Sequence, residues 1–529
     1  MDATARAIAE GQAVIGIELG STNIKTVLIG PRLEPLASGS HQWENQFVDR
    51  TWTYALDDVW DGLRDAYAKL ADDVRARHGV ELTAVAGLGI SAMMHGYLAF
   101  DADDQLLAPF RTWRNTMTGP AAARLTRALG HNIPQRWSAA HLYQAVLNGE
   151  PHVADVRYLT TLAGYVHWRL TGQKVIGIGD ASGMFPIDTA AKDFDAAMLE
   201  KFDALVAEAG LDAPWRLGGI LPKVLVAGRP AGVLTPEGAA LLDPAGRLLP
   251  GAPLCPPEGD AGTGMTATNS VRRRTGNVSA GTSVFAMVVL ERPLAEVHEE
   301  IDIVTTPAGD AVAMVHCNNG ASELDQWCGL FGEFAAALGA PAEAPVVFET
   351  LFRRSLDAAG DCGGLLAYNY LAGETITSLD EGRPLTLRTP DSDFTLANFM
   401  RAQVFGVFAT LALGMRILDV EGVEVDAMFA HGGLFKTKGV AQRYLAAALN
   451  TPVTVGEIAG QGGAWGIALL AAFASDGGGD LDAWLSERVF AQAALETVAP
   501  DPADVAGFAS YLTRYEAGLA VERAAVGAI

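Results

Sequence analysis

The chain has 529 residues, of which 50% are hydrophobic and 19% are charged. This length exceeds one ordinary domain, and the apolar content is enough for packed cores rather than extended disorder. The formal net charge of −24 at pH 7 disfavours nucleic acids and anionic membrane surfaces as partners, because both repel an acidic protein. We therefore expect a soluble protein with two or more domains and with neither of those partners.

Cysteine usage and the absence of targeting patterns bear on the compartment. The cysteines Cys255, Cys317, Cys328 and Cys362 show no C-x-x-C spacing, which argues against a zinc site or a disulfide framework. The N-terminal residues MDATARAIAEGQ lack the basic start and apolar core of a signal peptide. The longest late apolar run, GGAWGIALLAAFA, is shorter than a membrane span. These patterns favour a cytoplasmic protein.

The first half of the chain alternates strand and helix patterns. The runs VIGIELG and KTVLIG flank a turn at Gly20, Ser21 and Thr22, which predicts a β-hairpin. The segment LDDVWDGLRDAYAKLADDV follows and has apolar residues at helical spacing. The short apolar run VAGLGIS then predicts a buried strand. A hairpin followed by a helix and a strand indicates an α/β unit.

The second half repeats this scheme with different lengths. TGNVSAGTSVFAMVVL predicts a hairpin, and NFMRAQVFGVFATLALGMRILDV predicts a long helix. The strand DAMFAHGG, the helix GVAQRYLAAALN, the strand TPVTVGE and the apolar helix GGAWGIALLAAFA follow. Two halves that each open with a hairpin suggest a duplication. We place the boundary near residues 265 to 275, which gives domains of residues 1–268 and 269–529.

The two hairpins carry similar turns, Gly20-Ser21-Thr22 and Gly281-Thr282-Ser283. Glycine and small hydroxyl residues leave backbone N–H groups open, so such a turn can receive phosphate oxygens. A single turn of this kind is better explained as a convenient tight turn, and only the repetition in corresponding positions favours phosphate binding. The chain contains neither the G-x-x-x-x-G-K-[ST] loop nor a G-x-G-x-x-G turn after a strand.

Several segments resemble, in order along most of the chain, the FGGY family of carbohydrate kinases. They are IELGSTNIK, SAMMHG, EGDAGTGM, VSAGTSVFA, AHGGLFKT and GQGGAWGIALLAA. The resemblance implies an α/β fold with two actin-like (ribonuclease H-like) domains and an interdomain cleft that closes on ATP, Mg²⁺ and a small sugar. The MMHG tetrad is similar to that of the family's xylulokinases. This implies transfer of the γ-phosphoryl group to a ketopentose, D-xylulose, to give D-xylulose 5-phosphate.

The resemblance assigns the chemical roles to two carboxylates. Asp260 matches the general base that takes the proton of the acceptor hydroxyl; from the residues alone, an N-cap that accepts from the N–H of Thr263 is an equal alternative. Glu18 stands where the family usually has aspartate, which implies a water-mediated Mg²⁺ site with a longer side chain. A structural role for a partly buried strand-end glutamate is the alternative.

The resemblance also implies the nucleotide-binding residues. Gly20, Ser21 and Thr22, together with Gly281, Thr282 and Ser283, would hold phosphates. Lys25 falls where a family member often has a basic residue that reaches a phosphate, although a surface lysine explains it nearly as well. Gly432 and Gly433 match the adenosine loop. His431 and Leu434 depart from the usual small residues there, which predicts a reshaped adenine site.

The sugar side is implied by two segments. Met94, His95 and Gly96 would line the sugar site, together with Asp260. Trp113, Arg114 and Asn115 occupy the region where relatives carry a tryptophan and then an aspartate that meets the substrate. Asn115 replaces that aspartate, so the preference for D-xylulose is not assured, and Arg114 would suit a sugar acid or pair with a surface acid.

Three alternatives therefore stay open. One is a kinase of another sugar or sugar acid, such as L-ribulose or gluconate. Another is an actin-like ATPase that switches shape for a protein partner, and a third is a sugar sensor without turnover. Whether the protein forms a homodimer also stays open. The segments HCNNGASELDQW and LLAYNYLAGE receive no chemical role from the sequence.

Overall fold

The computed structural model describes residues 2–456 and 462–528. The chain divides into two compact units. Unit 1 comprises Met1–Val271, Asp302–Val312 and Gln461–Gln492, and unit 2 comprises Arg272–Ile301, Ala313–Gly460 and Ala493–Ile529. The sequence predicts one boundary after residue 268. The first break lies after Val271, but two later segments return to unit 1, so a single boundary does not describe the division.

Helices and strands alternate along the described residues. The helices are α1 Ala3–Ala9, α2 Leu56–His78, α3 Gly119–Leu129, α4 Ser138–Leu147, α5 Leu162–Thr171, α6 Ile178–Ala181, α7 Ala196–Glu208, α8 Leu217–Ile220, α9 Pro236–Leu242, α10 Asp260–Ala267, α11 Ser322–Ala337, α12 Ala344–Arg354, α13 Leu396–Val420, α14 Ala441–Leu449, α15 Gly462–Ser475, α16 Leu481–Trp484 and α17 Pro502–Ala528. The strands are β1 Val14–Leu19, β2 Asn23–Ile29, β3 Pro35–Gln42, β4 Gln46–Val48, β5 Thr51–Thr53, β6 Gly87–Ala92, β7 Leu98–Phe100, β8 Tyr158–Thr160, β9 Val175–Gly177, β10 Ile187–Asp188, β11 Asp193–Phe194, β12 Lys223–Leu225, β13 Glu258–Gly259, β14 Thr275–Ala280, β15 Val284–Val289, β16 Ile301–Thr305, β17 Ala311–Cys317, β18 Leu366–Tyr368, β19 Leu385–Leu387, β20 Ala427–His431, β21 Val453–Gly456 and β22 Leu495–Val498.

The main sheet of unit 1 has the strand order β13-β6-β1-β2-β3. The first three strands along the chain form an antiparallel meander, whereas β6 and β13 lie parallel to β1. The predicted hairpin, the helix α2 and the strand β6 are confirmed. Val59, Leu63, Leu70 and Val74 of α2 are all buried, as their helical spacing predicts.

Helices cover both faces of this sheet. On one face, Thr26 of β2 donates its hydroxyl to the carbonyl of Ala66 in α2 over 3.0 Å. On the other face, α15 lies so close to β1 that a Cβ on Gly16 would be 1.9 Å from the carbonyl oxygen of Ala464. Only glycine permits this approach. The fit explains why α15 belongs to unit 1 although it lies late in the chain.

Unit 2 repeats the topology of unit 1. Its strands follow the order β17-β15-β14-β20-β21-β22. Strands β14 and β15 form an antiparallel hairpin, and β20 and β21 lie parallel to β14. In both units the central strand therefore pairs with its hairpin partner on one side and with a later parallel strand on the other. This repetition confirms that both units use the predicted α/β scheme, while the duplication itself stays a prediction.

The long helix α13 forms the core of unit 2. It has 25 residues, and most of them are buried. By length and composition it is the one helix of the described residues that could cross a membrane. Its burial among the other elements of unit 2 is the pattern of a core helix.

Candidate active site

Three parallel strands of unit 1 end at the same edge of the sheet. The register pairs Leu19 of β1 with Ala92 of β6, and Ala92 with Gly259 of β13. The residues that follow or end these strands therefore come together. This edge collects Glu18, the MMHG loop and Asp260, and it is the usual ligand edge of an open α/β sheet.

Asp260 is the first residue of α10 and follows Gly259, the N-cap. Its Oδ1 accepts a hydrogen bond of 3.2 Å from the backbone N–H of Met94. The residue is exposed to solvent at the sheet edge. The protein packed around it, and then the like charge of Glu18, raise the pKa of Asp260 to about 6. The arrangement gives an accessible carboxylate that is ionised at neutral pH and is a better proton acceptor than an ordinary aspartate.

Glu18 lies on the face of β1 that packs against α15. Its Oε2 accepts from the backbone N–H of Ala464 over 3.3 Å, at the N-terminus of that helix. Burial raises the pKa of Glu18, while Lys25 on the neighbouring strand and the helix amides oppose the rise. The carboxylate is therefore anchored by the helix terminus, which favours negative charge. A Cβ on Gly463 would be 2.5 Å from Oε1 of Glu18, so this anchoring requires glycine.

Two further carboxyl groups lie close to Asp260, and no sequence motif points to them. Asp180 is fully buried, and its Oδ2 accepts from the hydroxyl of Thr161 over 2.6 Å. Burial, and then the charge of Asp260, raise the pKa of Asp180 to about 7. Glu258 is also buried and accepts from the backbone N–H groups of Gly179 and Asp180. Burial, and then Asp180, raise the pKa of Glu258 to about 8.

The MMHG loop follows β6 and turns through two residues with positive φ, His95 at 72° and Gly96 at 100°. His95 is buried. Its Nδ1 lies 3.2 Å from the carbonyl oxygen of Gly183, so Nδ1 carries the proton and donates. In the neutral ring, Nε2 is then an acceptor. Met94 is buried as well, which leaves its backbone N–H as the group that contacts Asp260.

The segment Trp113-Arg114-Asn115 lies beside this loop, because Tyr97 and Arg111 form an antiparallel bridge. Trp113 is 38% exposed, and the guanidinium of Arg114 lies 4.2 Å from the centroid of the Trp52 ring. Asn115 is buried. Its Oδ1 accepts from the N–H of Trp52, and its Nδ2 donates to the carbonyls of Trp52 and Thr112.

These contacts explain the amide at position 115. An aspartate would present a carboxylate to two carbonyl oxygens that Asn115 now satisfies as a donor. The side chain therefore holds β5 against the segment of residues 112–115. Its role as a sugar ligand stays a prediction, since these contacts occupy the amide.

The carbonyl oxygens of the first predicted phosphate turn, Gly20-Ser21-Thr22, all accept hydrogen bonds from other parts of the protein. The carbonyl of Gly20 accepts from Nε1 of Trp43 over 2.7 Å, and the carbonyl of Ser21 accepts from the hydroxyl of Tyr54 over 2.6 Å. The carbonyl of Thr22 accepts from the N–H of Trp43 over 3.1 Å. Groups that would repel a phosphate are thereby committed to the protein. Lys25 lies three residues further along and is exposed.

The carbonyls of the second predicted turn, in unit 2, are also hydrogen-bonded to the protein, but by different partners. The carbonyls of Gly281 and Thr282 accept from the N–H groups of Ala321 and Gly320, each over 2.8 Å. Gly281 and Thr282 are exposed, and Ser283 is partly exposed. Both predicted turns thus have carbonyls directed into the protein, which leaves the opposite side of the turn for an anion.

The Gly432-Gly433 pair lies at the end of β20 in unit 2. Gly432 has φ 113°, and a Cβ there would be 2.2 Å from the carbonyl oxygen of Ala280, just before the second turn. His431 pairs in register with Ser279 of β14, and burial lowers its pKa to about 4. The glycines therefore lie beside the predicted phosphate turn of the same unit, and the His431 ring beside them is neutral at pH 7.

Several site features could be recognised only in part from the sequence. Glu258 alternates with Asp260 at a strand end, and Asp180 lies in the small-residue stretch GIGDASG, but neither pattern is specific. The predicted motif GQGGAWGIALLAA begins at residues 460–461, which lie outside the described residues. The rest of the motif forms α15 against Glu18.

Comparison with known proteins agrees with this architecture. The model of the N-terminal domain of the FGGY family of carbohydrate kinases matches residues 13–245, and the model of the C-terminal domain matches residues 276–475. Xylulose kinase of Haemophilus influenzae is 23% identical over 359 residues, 66% of this chain and 68% of the relative. Xylulose kinase of Bacillus subtilis is 24% identical over 474 residues, 87% of this chain and 88% of the relative.

A solved structure has the same fold. The crystal structure of gluconate kinase from Lactobacillus acidophilus superimposes with a TM-score of 0.79 at 17% identity and covers 96% of this chain and 98% of its own. The two domain models together span most of the sequence. The chain therefore belongs to the FGGY family of carbohydrate kinases.

Proposed function

We propose that this sugar kinase transfers the γ-phosphoryl group of ATP to a hydroxyl of a ketopentose, D-xylulose, and forms D-xylulose 5-phosphate. The observation that carries the proposal is Asp260. It is an accessible carboxylate with a pKa raised to about 6, and it is held by the loop that resembles a sugar-binding loop. A base with this pKa is mostly ionised at pH 7 and can still take a proton as the reaction proceeds.

The proposed step is a proton abstraction coupled to phosphoryl transfer. Asp260 accepts the proton of the sugar hydroxyl while the hydroxyl oxygen forms a bond to the γ-phosphorus. The bond from that phosphorus to the bridging oxygen breaks, and ADP leaves with the electron pair. The N–H of Met94 fixes one carboxylate oxygen, so that orientation supplies much of the rate.

The residues around Glu18 fit Mg²⁺. The charge of Glu18 raises the pKa of Asp260, so two carboxylates share one edge of the sheet and concentrate negative charge there. In the described residues, no group of three or more His, Cys, Asp or Glu side chains could hold a metal ion. Glu18 would therefore hold the ion through water, with phosphate oxygens as further ligands. When bound, Mg²⁺ offsets the negative charge of the transferring phosphoryl group.

The two turns would bind the phosphates of ATP. Their carbonyls are satisfied by Trp43, Tyr54, Gly320 and Ala321. Amides on the outer side of a turn with such fixed carbonyls are preorganised to donate to an anion. Gly432 and Gly433 would let adenosine approach the end of β20 closely.

The identity of the sugar rests on the MMHG loop and on the relatives. Two of the relatives above are xylulose kinases, and one structural neighbour is a gluconate kinase. Arg114 is the observation that favours a sugar acid, because an exposed guanidinium next to the MMHG loop can pair with a carboxylate. A sugar-acid kinase is accordingly the second candidate.

We also propose a cytoplasmic location. The cysteines Cys255, Cys317, Cys328 and Cys362 are all free and buried, which suits a reducing compartment. Small-molecule substrates suffice for the activity.

A substrate panel tests the proposal. ADP release is measured with MgATP and, separately, D-xylulose, L-xylulose, D-ribulose, L-ribulose, gluconate and glycerol. Strong stimulation by D-xylulose alone supports the proposed function, and stimulation by gluconate alone replaces it with the sugar-acid reaction. ATP hydrolysis without dependence on any sugar would favour an ATPase switch. Binding of a sugar without turnover would favour a sensor.

A further inference from the structure

A network of buried polar side chains lies behind the second phosphate turn, Gly281-Thr282-Ser283. It centres on Asn319, in the segment just before α11, and includes Asn369 and Glu374 from the segment after β18. All three side chains are buried. Because a buried polar side chain is expensive unless it is bonded, such a network demands an explanation beyond packing.

Asn319 joins two segments of unit 2 that are distant in sequence. Its Oδ1 accepts from the backbone N–H groups of Leu371 and Ala372, over 2.8 and 2.9 Å. Its Nδ2 donates to the carbonyl of Ala372 over 3.1 Å and to Oε2 of Glu374 over 3.2 Å. The backbone N–H of Asn319 also donates to the same carboxylate oxygen over 3.4 Å. Every polar atom of the amide is therefore used.

Asn369 continues the network toward the turn. Its Nδ2 donates to the carbonyls of Asn319 and Gly320, over 3.2 and 2.7 Å. Asn369 thus fixes the carbonyl of Gly320. The N–H of Gly320 donates to the carbonyl of Thr282, and the N–H of Ala321 donates to the carbonyl of Gly281.

The fit between Gly320 and the turn is close. A Cβ on Gly320 would be 2.4 Å from the carbonyl oxygen of Gly281 and 2.7 Å from that of Thr282. The loop of residues 318–321 therefore packs directly against the turn. A shift of the loop would displace the carbonyls and so rotate the amides of the turn.

We propose that Asn319, Asn369 and Glu374 are positioning residues for the nucleotide, because they fix the loop that orients the amides of the second phosphate turn. This inference rests on the proposed binding of ATP phosphates at Gly281–Ser283. It gives a role to the segments HCNNGASELDQW and LLAYNYLAGE, whose residue patterns alone indicate none. Preorganisation of the turn before the nucleotide arrives lowers the ordering cost of binding.

The test compares nucleotide binding with sugar kinetics. Asn319→Ala is predicted to raise the Kd for MgADP, measured by calorimetry, about tenfold, since several hydrogen bonds that hold the loop are lost. The KM for ATP rises similarly, while the KM for the sugar stays within about twofold, because Asp260 and Met94 lie in unit 1. Asn318→Ala is the matched control. This neighbour is exposed, and within the described residues its side chain makes one hydrogen bond, to the carbonyl of Gly373, so its variant keeps the wild-type Kd.

A conservative pair of variants separates positioning from folding. Glu374→Gln keeps an oxygen that accepts from Asn319, and its Kd for MgADP stays near wild type, whereas Glu374→Ala weakens binding as Asn319→Ala does. Hydrogen exchange of residues 281–283 in nucleotide-free protein is expected to be faster in Glu374→Ala and unchanged in Glu374→Gln. Asn369→Ala provides the same readouts if the Asn319 variant fails to fold.

The outcomes are distinguishable. Folded Asn319→Ala and Glu374→Ala proteins with a Kd for MgADP within twofold of wild type, and with unchanged exchange in the turn, would overturn this inference alone. A wild-type protein that binds no MgADP would overturn the proposed function and this inference with it.

Discussion

The backbone N–H of Met94 donates to Oδ1 of Asp260 over 3.2 Å, although 166 positions separate the two residues in sequence. The contact exists because β6 and β13 lie parallel and end together. It joins the loop that resembles a sugar-binding loop to the carboxylate that resembles a general base.

The activity should depend on pH through Asp260. The carboxylate must be ionised to accept a proton, and its pKa is raised to about 6. We expect kcat/KM for the sugar to be level above pH 7 and to fall about tenfold per pH unit well below pH 6. The check is a profile of initial rates from pH 5 to 8, with coupling enzymes in excess at every pH. A level profile down to pH 5 would contradict the role of Asp260.

Asp180 should make stability depend on pH. Its pKa is raised to about 7 in the folded protein from an ordinary value of 3.8. The Asp180 carboxyl therefore makes its full contribution to the free energy of unfolding below about pH 4. That contribution is lost as the pH rises through about 7. We expect Asp180→Asn to gain stability relative to wild type at pH 8 compared with pH 5, as measured by thermal melts.

Asp195→Asn is the control for that experiment. Asp195 caps α7 by accepting from the N–H of Met198 over 2.9 Å, and asparagine is an equally good cap. Its melting temperature should follow the wild-type pH dependence. If Asp180→Asn also follows the wild-type curve, Asp180 is ionised in the folded protein and the explanation is wrong.

The amide of Asn115 should be required for stability. Asn115→Asp removes two donated hydrogen bonds and directs a carboxylate at the carbonyls of Trp52 and Thr112. We expect a loss of about 1–3 kcal/mol in the free energy of unfolding, measured with denaturant. A variant as stable as wild type, with altered sugar preference, would show that position 115 serves the substrate instead.

Tyr54 should support the first phosphate turn. Tyr54→Phe removes the hydroxyl that donates to the carbonyl of Ser21 but keeps the ring, which stacks on Trp43 at 4.2 Å. The loss of about 1 kcal/mol predicts a KM for ATP about fivefold higher. Tyr143→Phe is the control, since the Tyr143 hydroxyl is buried and has no hydrogen-bond partner among the described residues. Equal KM values for ATP in both variants would show that the Tyr54 hydroxyl does not support the turn.

Local patterns were enough to predict most strands and helices. The hairpins at β1–β2 and β14–β15 and the helix α2 follow directly from apolar spacing and turn residues. Such patterns report which residues are buried, but not against which sheet. A single boundary after residue 268 places the apolar helix α15 in the C-terminal domain, whereas Gly16 and Gly463 fit it onto unit 1.

Site residues that belong to a contiguous motif could be predicted from the sequence. Site residues that come together only in the folded protein could not. Asp260 and the two turns belong to short motifs that resemble a family. Asp180 and Glu258 come together through backbone contacts between distant segments, and no spacing in the sequence announces them. The place of Asn115 in its motif predicts a sugar ligand, and its hydrogen bonds to Trp52 of β5 could not be inferred from the sequence.

The step proposed for Asp260 is removal of the proton of the sugar hydroxyl. Its most direct test is kcat for ADP release by Asp260→Asn with MgATP and the best sugar of the panel, next to calorimetric binding of MgADP. Because asparagine keeps the shape and an acceptor oxygen for Met94 but cannot take the proton, we predict a kcat lower by about 10²–10⁴-fold with unchanged nucleotide affinity. A folded variant with kcat within about tenfold of wild type would contradict the account.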